Sequence, residues 1–131
     1  MVEAITRPTQ IEISQKALKN NVAVVKRVSG AEKIFLAVKS NAYGLGLIPT
    51  AKAAVAGGVY GLAVAIIDEA LALRHERITA PILILGISPA EYAELMAVQH
   101  IMATVVSLDW LQEAAQYLTG EQRLHVDRKS V

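Results

Sequence analysis

The sequence predicts an α/β domain built on a parallel sheet, and three observations carry that expectation. Apolar runs rich in Val, Ile and Leu recur at 34–38, 60–65, 82–85 and 101–106, with a weaker one at 123–126. Each run is near-continuous rather than alternating in polarity, the pattern of strands covered on both faces. Helical stretches with recognisable ends separate the runs, so strand and helix alternate as in βαβ units. Two architectures fit this alternation. One is an open doubly wound sheet. The other is part of a (β/α)8 barrel, which takes ~250 residues and eight units when complete, against about four to five units here.

Taken in order, the earliest strand candidate, 10–13, precedes the first helix and stands apart from the alternation, as a strand of another sheet or domain would. Ser14 is placed to cap a helix whose Leu18, Val22 and Val25 share one stripe, with Lys16, Lys19 and Lys26 largely off it. The run into Val38 ends at Lys39, and Gly44 and Gly46 then mark a loop before the next helix. Gly57-Gly58 and Gly120 are natural helix stops. Ser88-Pro89-Ala90-Glu91 reads as a capping box with proline in the first helical position.

The bulk numbers narrow the function classes. The chain has 131 residues, 53% of them hydrophobic, enough for one domain with a core. Its net charge is +1 and Lys and Arg are not clustered, which argues against a nucleic-acid surface. Without cysteine there is neither a disulfide framework nor a Cys-ligated metal site. The N-terminus shows no basic-then-apolar signal pattern. The longest uncharged stretch, 53–67, is interrupted by Gly57, Gly58 and Gly61 and falls short of the ~20 residues of a membrane span. A cytoplasmic protein is expected, with no membrane and no nucleic-acid partner.

Lys39 carries the chemistry. A lysine at the mouth of a buried strand is costly there, because desolvation disfavours its charged form. An amine so placed is a competent nucleophile toward aldehydes, which makes Lys39 a candidate to hold pyridoxal 5′-phosphate.

The run Ala37-Val38-Lys39-Ser40-Asn41-Ala42-Tyr43-Gly44-Leu45-Gly46 resembles the cofactor-binding signature of the bacterial alanine racemases, whose usual form ends Lys-Ala-Asn-Ala-Tyr-Gly-His-Gly. Likeness to that family extends from about Arg7 to His125, through Leu62-Ala63-Val64-Ala65, Asp68-Glu69-Ala70 and Pro81-Ile82-Leu83-Ile84-Leu85-Gly86. It implies a partial (β/α)8 barrel of about four to five βα units with parallel strands. Residues 1–131 would be the N-terminal portion of the barrel domain, with the family's C-terminal β domain absent.

The resemblance also implies roles. Lys39 would hold the cofactor as a Schiff base and act as one of two acid/base groups at the substrate α-carbon. Tyr43 would hydrogen-bond the cofactor phosphate, and Leu85 would pack near the pyridoxal ring. These positions fall at the C-terminal ends of strands or just after them, where barrel enzymes place their chemistry, which favours the barrel over the open sheet. The implied activity is interconversion of L- and D-alanine for bacterial cell-wall synthesis by a homodimeric parent enzyme. The second base would come from the partner subunit, so this chain alone is expected not to racemise. The alternatives are a non-catalytic pyridoxal-phosphate-binding barrel protein and a defunct truncated fragment.

Ser40, Leu45 and Gln10 depart from the family's usual alanine, histidine and tryptophan. The ending His125-Val126-Asp127-Arg128-Lys129-Ser130-Val131 departs from its Lys-x-Asp-Thr-Gly-Met-x-Arg run, so 126–131 reads as a truncated or frame-shifted tail and Lys129 receives no role. Elsewhere the plain readings hold. His75, His100 and His125 lack ligand spacing, so no metal site is expected. Asp68 and Glu69 head a helix, where carboxylates favour the macrodipole. Tyr92, Trp110 and Tyr117 are packing residues of the outer helices, and Arg74 and Arg77 are solvated.

Overall fold

Five short strands pair in the order in which they occur along the chain. The computed structural model describes residues 12–120 and the backbone of 124–126. Strands β1 (Phe35–Ala37), β2 (Gly61–Val64), β3 (Ile82–Ile84), β4 (Ile101–Val105) and β5 (Leu124–Val126) form one sheet, neighbour to neighbour and all parallel. Helix α1 (Gln15–Ser29) precedes them. The single turn α2 (Lys39–Tyr43) and helix α3 (Leu47–Ala56) join β1 to β2, and α4 (Ile67–His75) joins β2 to β3. A 3-10 turn (Ala90–Tyr92) and α5 (Ala93–Val98) lead to β4, and α6 (Leu108–Ala115) leads to β5.

This order decides between the two architectures. A doubly wound sheet reverses its strand order at a switch point. Here the order never reverses, so the strands form an arc of a (β/α)8 barrel, each unit stepping to the next position.

Register places Leu36, Leu62, Ile82 and Ile101 in one row. Leu62, Ile82 and Ile101 are buried, and Leu36 packs against the same core. With Val38, Val64, Ile84, Leu73 and Met96 they make the dry interior of the arc. Each side chain of this size contributes roughly 1.5–3 kcal/mol on full burial. The adjoining row, Ala37, Ala63, Leu83 and Met102, faces the other way, because successive strand side chains alternate. On that face Phe35 lies across Gly61, where an added Cβ would stand 2.4 Å from the ring. Tyr60 meets the Phe35 ring edge-on at 5.5 Å, and the Lys33 ammonium sits 4.7 Å above the Tyr60 ring.

Local signals were mostly obeyed. Ser14 caps α1 by accepting the Ala17 N–H at 3.2 Å, and Gly30 closes the helix in the left-handed region. Val22 is buried, but Val25, expected on the same stripe, is about half exposed. Gly57 closes α3 as expected.

Three expectations need correction. Ser88 caps nothing with its side chain; the segment after it enters as a 3-10 turn with Pro89 before its first residue. Gly120 lies well past the end of α6, which stops at Ala115. Arg74 is not solvated. Its Nη1 donates to the Ile78 carbonyl at 2.6 Å and the Ala80 carbonyl at 2.9 Å, its Nε to Gln99 and its Nη2 to His100, each at 2.9 Å. Partial burial pulls its pKa below the ordinary arginine value. The guanidinium has five donors and a fixed geometry, which suits four carbonyls of converging loops. The strand expected at 10–13 lies outside the described residues except for Glu12 and Ile13, which are not in a strand, and residues 127–131 lie outside them altogether. Among the described residues no helix is long and apolar enough to cross a membrane, and no group of His, Cys, Asp and Glu could hold a metal ion.

Candidate functional site

The chain leaves β1 through a left-handed turn. Val38 is fully buried and its N–H still donates to the Ala63 carbonyl at 2.8 Å, so the ladder persists to the residue before Lys39. Then Ser40, Asn41, Ala42 and Tyr43 all take φ between 52° and 55°, and Gly44 and Gly46 follow at 93° and 87°. For L-residues the left-handed helical conformation costs roughly 1–2 kcal/mol each, so four in succession cost on the order of 4–8 kcal/mol. Such backbone persists only where its surroundings over-determine it, and it concentrates at functional sites.

The surroundings do over-determine it. Ala42 is buried and its N–H donates to the Val38 carbonyl at 2.8 Å. The Asn41 carbonyl accepts from Gly44 and Gly46 at 3.1 and 3.0 Å, and its side-chain Oδ1 accepts the Leu47 N–H at 2.8 Å, at the start of α3. Across the sheet, Glu69 accepts the Asn41 N–H at 3.3 Å through Oε1 and the Ala65 N–H at 2.8 Å through Oε2. The turn after β1 and the loop after β2 thus share one carboxylate.

Lys39 and Tyr43, singled out in the sequence, both sit on this turn at the C-terminal end of the sheet. Lys39 is half-buried, and Tyr43 is 67% exposed. Neither its amine nor the Tyr43 phenol has a polar partner among the described residues. Leu85 follows the last residue of β3 at the same end, because the strands are parallel; its N–H donates to the Val64 carbonyl at 2.8 Å, and its side chain is 43% exposed. One step before these residues Ala37 and Ala63 are register partners in β1 and β2. Gly86 keeps the exits of β2 and β3 close, since an added Cβ would stand 2.5 Å from the Ala65 carbonyl oxygen. An amine and a phenol on one turn suit an aldehyde that also carries a polar substituent.

Sequence reasoning missed Asn41 and Glu69. Asn41 had one usable signal, asparagine's tolerance of positive φ just before a Gly-containing loop. Glu69 had none that distinguished it from Asp68 beside it.

A parallel βα arc with a lysine on the turn at the C-terminal end of its first strand defines a barrel protein of the kind that carries its chemistry on βα loops. Residues 13–129 match the family described as alanine racemase, N-terminal domain, and the chain belongs to that family. It is 49% identical over 127 residues to the lysine racemase of Oenococcus oeni, covering 97% of this chain and 34% of that protein. Against the alanine racemase of Levilactobacillus brevis the identity is 46% over 123 residues, or 93% of this chain and 33% of that one. Among solved structures, alanine racemase from Oenococcus oeni aligns with TM-score 0.85 at 48% identity, over 96% of this chain and 35% of that one. Alanine racemase from Bacillus anthracis with bound L-Ala-P aligns with TM-score 0.83 at 38% identity, over 95% of this chain and 32% of that one. The chain spans about a third of the length of the relatives it matches.

Proposed function

We propose that this chain is the N-terminal portion of the barrel domain of a pyridoxal-phosphate-dependent amino-acid racemase. Its substrate is alanine, and it acts in the cytoplasm as a homodimer that supplies D-alanine for cell-wall synthesis. The observation that carries the reading is the pairing of Lys39 and Tyr43 on one left-handed turn at the C-terminal end of β1. Relatives named alanine racemase and lysine racemase support the reaction class.

Bound pyridoxal 5′-phosphate supplies a conjugated ring that takes up the electron pair left when the α-carbon loses its proton. Further roles fall to residues of this chain. Lys39 would hold the cofactor through its amine, and its Nζ would hold or release a proton on one face of the substrate. The Tyr43 hydroxyl would donate to the phosphate. Leu85, at the exit of β3, would border the ring. Inversion needs a base on each face of a planar carbon. This chain offers one, and the second comes from elsewhere in the assembled enzyme.

The test is a visible absorption spectrum of the 131-residue chain mixed with pyridoxal phosphate. A band from the attached cofactor is expected in the unaltered chain and in Lys33→Ala, and is expected to vanish in Lys39→Ala. A band that survives Lys39→Ala, or that never forms, overturns the reading. A chiral assay of the same mixture with L-alanine is expected to show no racemisation, because the second face has no base.

A further inference from the structure

We propose that Glu69 is a positioning residue that sets the handedness of the lysine-bearing turn, and with it the reach of Tyr43. A helix-macrodipole role would need no particular partner, and Asp68, one residue earlier in the same first turn of α4, would serve as well. Glu69 does something Asp68 does not. Its two carboxylate oxygens receive N–H groups from two different loops, Asn41 after β1 and Ala65 after β2, at 3.3 and 2.8 Å. A carboxylate accepting backbone N–H groups makes the stronger, charge-assisted class of hydrogen bond.

The Asn41 N–H needs such a partner. The residue four positions earlier, Ala37, ends a sheet strand, whereas Ala42 finds its own partner in the Val38 carbonyl. Glu69 therefore supplies from across the sheet what the local backbone does not. Lys39 depends on this less than Tyr43 does. Lys39 follows Val38, which the sheet holds through the Ala63 carbonyl, while Tyr43 lies beyond Asn41 and inherits whatever backbone conformation Asn41 adopts.

This dependence predicts a split. Loss of the clamp leaves the amine free to react with an aldehyde but moves the phenol off the phosphate. The cofactor half of the test rests on the function proposed above; the conformational half does not. The variants are Glu69→Gln, which leaves only one oxygen to accept, and Asp68→Asn as control.

In the unaltered 131-residue chain, NMR couplings are expected to report positive φ at residues 40–43, and the Asn41 amide to be protected from hydrogen exchange. In Glu69→Gln that protection falls at least about tenfold while the amides of Leu62 and Ile84 keep theirs; Asp68→Asn changes neither. Titrated with pyridoxal phosphate and with pyridoxal, which lacks the phosphate, Glu69→Gln loses about tenfold in affinity for the first and little for the second. An unprotected Asn41 amide in the unaltered chain overturns the proposal, whether or not Glu69→Gln folds. So does a Glu69→Gln chain with the same couplings and the same ratio of the two affinities. If neither aldehyde binds to any chain, the functional reading fails and the couplings and exchange rates still decide the role of Glu69.

Discussion

The indole Nε1 of Trp110 donates to the Ser88 carbonyl at 2.6 Å, tying α6 to the segment that follows β3. Both residues are buried, so this bond is made away from water. Trp110 is also held from its own helix end, where its N–H donates to the Ser107 hydroxyl at 3.1 Å. Replacing Trp110 by Phe keeps much of the apolar bulk and strands the Ser88 carbonyl. The expected cost is about 1–3 kcal/mol, read as a lower midpoint in urea with an unchanged slope. A variant as stable as the parent would mean that water replaces the indole.

Arg74 should prove a stability residue at the opposite end of the sheet from Lys39. Arg74→Ala removes donors from four carbonyls in two loops and is expected to cost about 2–3 kcal/mol. Arg74→Lys should recover little, because an ammonium on a flexible stem does not match a fork of fixed geometry. Thermal denaturation of both variants checks this, and full rescue by lysine would reduce the role to charge alone.

Gly61 is required for packing, not for an unusual φ. An added Cβ would meet the Phe35 ring at 2.4 Å and the Pro81 carbonyl oxygen at 2.8 Å. Gly61→Ala is expected to destabilise by about 1–3 kcal/mol through overpacking. If Phe35 alone is in the way, the double variant with Phe35→Leu recovers part of the loss, and the remainder measures the backbone clash with Pro81.

Two exposed carboxylates give a pH signature. The Lys52 ammonium, at 2.7 Å, holds the Glu76 pKa below the ordinary glutamate value through its hydrogen bond and its charge. Thr119 lowers that of Glu94 by donating from both its hydroxyl and its N–H. A carboxyl whose folded pKa is depressed contributes stability above its unfolded pKa and loses it as pH falls through the folded one. Both contributions are therefore present at neutral pH and lost on acidification. Carbon-detected NMR titration is expected to show Glu76 moving up in Lys52→Ala and Glu94 moving up in Thr119→Ala, each leaving the other unchanged.

Much of this architecture was legible because the responsible signals are local. The run 60–65 became β2 since a both-sides-covered strand must be apolar throughout, and Ser14 became a cap since its neighbours leave an unpaired N–H within reach. The C-terminal placement of Lys39, Tyr43 and Leu85 followed from the same spacing. Illegible were the features in which one side chain serves distant backbone. Arg74 reaches carbonyls up to 26 positions away, and Glu69 reaches an amide 28 positions away. Nothing in the composition around either residue separates it from a solvated neighbour. The capping box at Ser88 is not realised: Ser88 is buried, its carbonyl accepts the Trp110 indole, and the 3-10 turn begins only after Pro89. The left-handed turn is the hardest case, since Ser40, Ala42 and Tyr43 prefer the opposite hand and yield only to partners outside the segment.

That last feature bears on how a ribosome would deliver the protein. Glu69 lies 28 positions after Asn41, so residue 41 leaves the exit tunnel before its eventual tether does. Lys39 emerges early and its setting is completed late, once the second strand and the opening of its helix have docked.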